Sequence, residues 1–338
     1  MNDIAVIVPV YNGEEFLDSC ITSIKEAGKR LSEIIIVDDG STDKTLEKAN
    51  KLAKEDKRIK VIHTENHGSY MARITGIKAT TSPFIAFIDV DDRFTSGALD
   101  FLADLRDKTD VEIAIGGYLE VDSLYENIMK DCSDRFVVHK TAELWPRLMK
   151  WKTQEFQWYL WNKLYKRELF HDLVEMEGLC QGDDVLLTTQ VFLKANTVVE
   201  TKRNVYLYYQ NPNSMLHSRF GDKDLDLICV WDKVVELTEG ENVSSIVKGK
   251  TLHDLAMYNR WRLDFTLITR LILSGDKDND QKYAEDILEW REGLKYHWKD
   301  LTLPHAMPRS REMLVIALRF FYSPVKYLLR VVRRRKLV

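Results

Sequence analysis

A chain of 338 residues, 45% hydrophobic and 30% charged, describes a soluble globular protein with more sequence than one ordinary core needs. Its net charge of −4 gives no overall basic surface for nucleic acid. Cys20, Cys132, Cys180 and Cys229 lie far apart without metal-ligand spacing, which predicts free thiols in a reducing cytoplasm.

Taken in order, the chain alternates strands with helices. Ile4 to Tyr11 reads as a buried strand turning at Asn12-Gly13, with no basic leader or apolar h-region before it, so no secretory signal is expected. Phe16, Leu17, Cys20, Ile21 and Ile24 fall on one helical face. Glu33 to Val37 is a second strand, ending on Asp38-Asp39-Gly40, and Ser41 is placed to cap a helix through Leu46, Ala49, Leu52 and Ala53. Arg58 to Thr64 is a third strand, and His67-Gly68-Ser69 opens a helix running to Ala79. Phe84 to Ile88 then forms a short apolar run that stops on Asp89, Asp91 and Asp92. This rhythm predicts an α/β fold, a doubly wound, mostly parallel Rossmann-like sheet.

Past Asp92 the pattern loosens. Helices are expected over 96–106, 140–151 and 183–195, and strands over 111–115 and 197–209. Trp158, Tyr159, Trp161 and Tyr165 crowd together between them. Beyond Phe220 only helical patterns remain, so the chain is expected to divide into 1–220, with halves 1–100 and 101–220, and a helical region 221–338.

Three acids at the end of one buried strand repel each other and resist desolvation unless something positive lies among them. An oxygen-liganded divalent cation answers that need, and strand carboxyl ends are where open α/β sheets bind ligands. A solvated acidic loop is the plainer reading. Asp38-Asp39 ends a neighbouring strand, which makes a convergent site more credible. Asp183-Asp184, after the glycines 178 and 182, is a third acid pair, although Asp183 also suits a helix N-cap.

Val8-Pro9-Val10-Tyr11-Asn12-Gly13, Val37-Asp38-Asp39-Gly40-Ser41-Thr42-Asp43, the helix after Gly68 and Phe87-Ile88-Asp89-Val90-Asp91-Asp92 together resemble family 2 glycosyltransferases of the GT-A fold. Trp161-Asn162-Lys163-Leu164-Tyr165-Lys166, Gly182-Asp183-Asp184 and Tyr206 to Ser214 resemble that family's bacterial cell-surface polysaccharide branch. The resemblance fades after residue 220. It implies a nucleotide pocket of Pro9, Tyr11 and Asp39, bordered by Asp38, with Asp89 near the ribose. Asp91 would hold Mg²⁺ or Mn²⁺, with Asp92 beside it as a second candidate. Arg73 either faces the donor or is a solvated helix charge. The resemblance makes Asp184 the general base of an inverting transfer from a nucleoside diphosphate sugar, UDP-linked, to a glycan or lipid-linked acceptor. Asp183 departs from the Glu usual at that place by one methylene. His217 and Arg219 are candidates to return to the metal or diphosphate. Trp158 and Trp161 either stack on an acceptor sugar or anchor the core.

Two other readings compete. A nucleotidyltransferase or sugar-nucleotide synthase would want a glycine-rich basic loop after the first strand, and Tyr11-Asn12-Gly13-Glu14-Glu15 is acidic. A non-catalytic scaffold of the same fold would be expected to lose an acid cluster, and all three are present. The tail, Met313 to Val332, is apolar but interrupted by Arg319, Lys326, Arg330 and Pro324. Each central charge costs roughly 2.5–3.5 kcal/mol on insertion, which argues against a spanning helix. The alternatives are an amphipathic segment on an anionic inner membrane face, helped by Arg330 and Arg333-Arg334-Arg335-Lys336, and a helix packed on the protein's own core. Cytoplasmic location, peripheral on the inner membrane face, follows from the first, and the helical region is also a candidate oligomer interface.

Overall fold

The computed structural model describes residues 3–122, 135–151, 158–211, 219–240, 247 and 249–336. Contacts divide the chain into two compact units, Met1–Thr141 with Trp158–His217, and Ala142–Gln157 with Ser218–Val338. The segment 142–157, which the sequence groups with the α/β region, therefore goes with the helices.

The first unit begins β1 (Ile4–Val10), α1 (Leu17–Glu26), β2 (Leu31–Asp39), α2 (Thr45–Glu55), β3 (Ile59–Thr64), α3 (Ser69–Lys78) and β4 (Phe84–Phe87). Then come β5 (Arg93–Phe94), α4 (Ala98–Thr109), β6 (Ile113–Val121) and β7 (Phe136–Lys140). Next in the chain is α5 (Thr141–Leu148), nearly all in the helical unit, before β8 (Lys163–Lys166), α6 (Asp183–Lys194) and β9 (Thr197–Tyr209). The strands form one sheet in the order β3-β2-β1-β4-β8-β6-β9-β5, with β7 on β9. β3, β2, β1 and β4 are mutually parallel, and β8 enters antiparallel between β4 and β6.

The sequence's uninterrupted Ile/Val runs follow from burial on both sheet faces. Ile4, Val6 and Val8 pack with Leu17, Ile21 and Ile24 of α1, while Ile35 and Val37 of β2 meet Ala72 of α3 on the other face. In register, Val10 lies beside Asp38, and Ile7 beside Phe87. The segments after β1, β2 and β4, with all their acids, therefore emerge at one edge of the sheet.

The helical unit holds α5, α7 (Asp226–Leu237), α8 (Leu252–Ser274), α9 (Lys277–Lys282), α10 (Ala284–Thr302) and α11 (Arg309–Lys336). Thr251 and Asp254 form a reciprocal capping box at the start of α8, and Gly275 (φ 71°) ends it in the left-handed region. α11 packs on α8 and α10 through Val315 and Leu318. Its backbone kinks at Phe321 (φ −132°, ψ 45°), where the ring of Pro324 crowds the carbonyl one turn back.

The side chains of α11 are not uniformly buried. One side is core, yet Met313, Phe320, Phe321, Tyr327 and Leu328 remain 55–74% exposed. Lys326 and Arg330 do not face outward as expected: both bind Asp280, Arg330 with two bonds of 2.8 and 2.9 Å. The side chains of Arg333, Arg334, Arg335 and Lys336 lie outside the described residues. Among the described residues no helix is long and apolar enough to cross a membrane.

Candidate active site

Side-chain bonds fix the loop after β1 to the loop after β2. Asn12 Oδ1 accepts from Thr42 N (2.8 Å), and Gly13 N donates to Thr45 Oγ1 (2.9 Å). Tyr11 is thereby held at the sheet edge with its ring 53% exposed, next to half-buried Pro9. Asp39 is buried; its Oδ1 accepts from His67 N at 2.8 Å and Thr64 Oγ1 at 3.4 Å, and its Oδ2 from Gly68 N at 2.9 Å. Oδ2 keeps a second lone pair for a base N–H. Asp38 points the other way, to His63 Nδ1 at 2.6 Å, and its Oδ1 is buried with no hydrogen-bond partner among the described residues.

Gly68 is required where it stands. It has φ +89°, and a Cβ there would sit 2.5 Å from the carbonyl oxygen of Leu179. That close approach brings the α3 N-terminus against the segment leading into α6.

Arg73 connects the acid clusters. It is buried, ruling out the solvated helix charge, and its guanidinium donates to Asp89 Oδ1 at 2.7 Å and to Asp183 Oδ2. Ser69 Oγ also donates to Asp183 Oδ2, at 3.1 Å. The helix-cap reading of Asp183 gives way as well: the cap position belongs to Gly182 (φ 82°), and Asp183 is the first helical residue. Burial raises the Asp89 carboxyl above the usual range, and Arg73 opposes the shift.

Asp184 follows on α6. Burial, then the charge of Asp183, pushes its carboxyl up to about 8, with Arg73 and Lys163 pulling down. Its Oδ1 is buried without a hydrogen-bond partner among the described residues. A carboxyl of this kind exchanges a proton near neutral pH, as a general base needs. Lys163, which the sequence reading did not single out for a role, is buried below it. Its ammonium donates to the Tyr159 carbonyl and to Asn162 Oδ1 (2.7 Å), and burial brings it down to about 7.

The acids after β4 divide by environment. Asp92 is buried, accepting from Tyr206 Oη and Tyr209 N, each at 2.8 Å, and burial lifts its carboxyl to about 9. Asp91 is half-buried and accepts from Asn211 Nδ2 at 3.2 Å. Among the described residues no three His, Cys, Asp or Glu side chains converge as a metal cage. That donor set fits Mg²⁺ or Mn²⁺ bound by one or two carboxylates and substrate phosphates. Both oxygens of Asp92 are engaged, whereas the bond from Asn211 takes only Oδ2 of Asp91.

Of the two readings of the tryptophans, burial favours the core anchors. Trp158 and Trp161 are both buried, and Trp161 has Tyr206 on one side (4.3 Å, 14°) and Tyr159 nearly parallel to it (4.5 Å, 18°). Trp161 is core and has no face left for a sugar. His217 lies outside the described residues; Arg219 is exposed and groups with the helical unit. Tyr206, Tyr209 and Asn211 were visible in sequence only as part of the block beginning at Tyr206. Among the described residues, Cys20, Cys180 and Cys229 form no disulfide.

An acid-lined edge at the carboxyl ends of parallel strands, with Arg73 buried across it, is where an open α/β sheet takes its ligand. The same fold occurs in TarS of S. aureus, residues 1-349 in complex with UDP-GlcNAc, at a TM-score of 0.65 and 20% identity, over 97% of this chain and 87% of that one. The sequence model described as Glycosyl transferase family 2 matches residues 5–174, and the chain belongs to that family of sugar-transferring enzymes. Among its relatives is the uncharacterized glycosyltransferase EpsJ of Bacillus subtilis, 33% identical over 214 residues, 63% of this chain and 62% of EpsJ. Glycosyltransferase GlyG of Streptococcus pneumoniae is 30% identical over 223 residues, 64% of this chain and 74% of GlyG. The chain thus matches less than two thirds of EpsJ's length.

Proposed function

We propose that the protein moves a sugar from a nucleoside diphosphate sugar, with UDP as the nucleotide, to a hydroxyl of a glycan or lipid-linked acceptor in cell-surface polysaccharide synthesis. The observation that carries this is Asp184, a proton-exchanging carboxyl tied through Asp183 and Arg73 to the Asp89–Asp91 turn. Tyr11 and Asp39 would take the base, and the TarS complex with UDP-GlcNAc supports uracil as that base. Asp89 would meet the ribose. Asp91 would hold Mg²⁺ or Mn²⁺, which neutralises charge on the departing diphosphate.

In the reaction, Asp184 takes the proton of the acceptor hydroxyl as its oxygen attacks the anomeric carbon. The bond from that carbon to the diphosphate breaks on the opposite face, so configuration inverts. Arg73 holds Asp89 and Asp183 in place and keeps their charges from pushing apart.

An acceptor carried on lipid accords with α11. Its exposed apolar side chains suit insertion at the interface, and residues 309–338 carry nine basic residues against one acid; with Lys326 and Arg330 held by Asp280, the others would attract anionic headgroups on the cytoplasmic membrane face.

The test incubates purified protein and Mn²⁺ with a panel of nucleotide sugars and follows nucleotide release. Release from one or more UDP-sugars, abolished in Asp91→Ala and by chelator, is expected. Full activity of Asp91→Ala in the presence of chelator would overturn the metal assignment, and release only from other nucleotides would overturn uridine.

A further inference from the structure

With both tryptophans enclosed, the acceptor sugar needs another surface. The face that covers Trp161 supplies one. Tyr206 and Tyr208 are two apart on β9 and share a face, and in register Tyr118 of β6 stands beside Tyr206 and Glu120 beside Tyr208. Tyr206 is buried. Tyr159 and Tyr208 are half-buried, and their planes lie within 17° of each other with centroids 6.3 Å apart. Both rings are also nearly parallel to Trp161, at 4.5 Å and 18° for Tyr159 and 5.7 Å and 15° for Tyr208, so the three share one orientation. Tyr118 stands edge-on to Tyr159 (5.9 Å, 90°), fixing its orientation.

This pair of phenols runs between the two chemical groups of the site. Tyr208 sits between Tyr206 and Tyr209, which hold the two oxygens of Asp92 at 2.8 Å. Tyr159 follows Trp158, whose carbonyl accepts from Thr188 Oγ1 at 2.8 Å, one helical turn beyond Asp184 on α6. The rim carries polar groups of both kinds: exposed Gln210 donates to exposed Glu120 at 2.7 Å. A flat aromatic floor with an amide and a carboxylate at its edge suits a pyranose, whose C–H face stacks while its hydroxyls bond outward.

We propose that Tyr159 and Tyr208 form the floor of the acceptor-sugar subsite, with Glu120 and Gln210 at its rim. The assignment rests on the glycosyltransferase reading and gives its acceptor a place. The face is built from aromatic contacts that hold without ligand, so the subsite is preformed and its loss is separable from nucleotide binding.

Saturation-transfer NMR on the full chain with UDP and Mn²⁺, using a panel of methyl glycosides and disaccharides, tests this. Calorimetric UDP binding is measured on the same samples. At least one saccharide is expected to receive saturation from the wild type. Tyr208→Ala and Tyr159→Ala should weaken its binding about tenfold or more, while the Phe variants keep it within about threefold. UDP affinity should be unchanged in all four. A saccharide that binds all four variants equally well overturns the floor, as does a wild type that binds UDP and no saccharide. Failure of the wild type to bind UDP would instead contradict the nucleotide-sugar reading itself.

Discussion

Arg73 is the single cation between Asp89 and Asp183 in the described site, with 7% of its side chain exposed. Arg73→Met leaves two carboxylates facing each other across a partly dry gap. Asp89 keeps a third of its surface in water, so the loss is expected near the low end for a broken buried pair, about 3 kcal/mol. Chemical denaturation checks this; Arg73→Lys should recover only part, because one ammonium cannot span both partners as the fork does. Asp184 has the opposite sign. Its folded value of about 8 lies above the ordinary 3.8, so between those values the folded chain holds a proton that the unfolded chain has released. Its contribution is favourable at low pH and is lost as pH rises through about 8. Asp184→Asn is therefore expected to raise Tm relative to wild type above pH 8, with the gain vanishing near pH 4; a pH-independent difference would contradict the burial of this carboxyl. The sequence showed the acid pairs and their places because charge clusters at strand ends are local signals. It could not show that Arg73 bridges them, or that Asp92 faces inward to Tyr206, since those partners lie 110 and 114 positions away.

At the level of elements, Gly68 shows how a loop residue positions the chemistry. Its left-handed backbone lets the α3 N-terminus reach both Asp39 and the segment entering α6. Gly68→Ala is expected to cost about 1–3 kcal/mol and to weaken UDP binding, since strain at this turn displaces Asp39's partners. Unchanged calorimetric affinity would mean that the turn relaxes independently of the nucleotide site. The first four strands were legible because parallel, doubly covered strands read as Ile/Val runs. β8 was not: Lys163-Leu164-Tyr165-Lys166 is too short and too mixed to carry a period, and only pairing with β4 and β6 makes it a strand. β5, with two residues, and β7, with five, escaped for the same reason. Trp158 and Trp161 were ambiguous because an indole serves core and sugar equally well until its neighbours are known.

On the scale of the whole molecule, two units share the chain, and the second ends in a helix with apolar residues on opposite sides. Truncation before α11 would strip Val315 and Leu318 from a packed core, so substitution tests the tail more cleanly. Full-length protein is expected to float with anionic vesicles in low salt and to release as salt rises. Replacing exposed Phe320, Phe321 and Leu328 with Glu should keep the chain in solution at unchanged Tm. Equal flotation of wild type and variant would assign the outer face of α11 to something other than lipid.

The central claim is that Asp184 removes the acceptor's proton, and the direct measurement compares Asp184→Asn with wild type in single-turnover transfer alongside calorimetric donor binding. Donor affinity is expected to stay within a few fold while the transfer rate falls by about 10²–10⁴. The wild-type rate should climb with pH through about 8, and the variant's should not. A variant that loses donor binding but turns over bound donor at the wild-type rate would make Asp184 a binding residue and contradict the account.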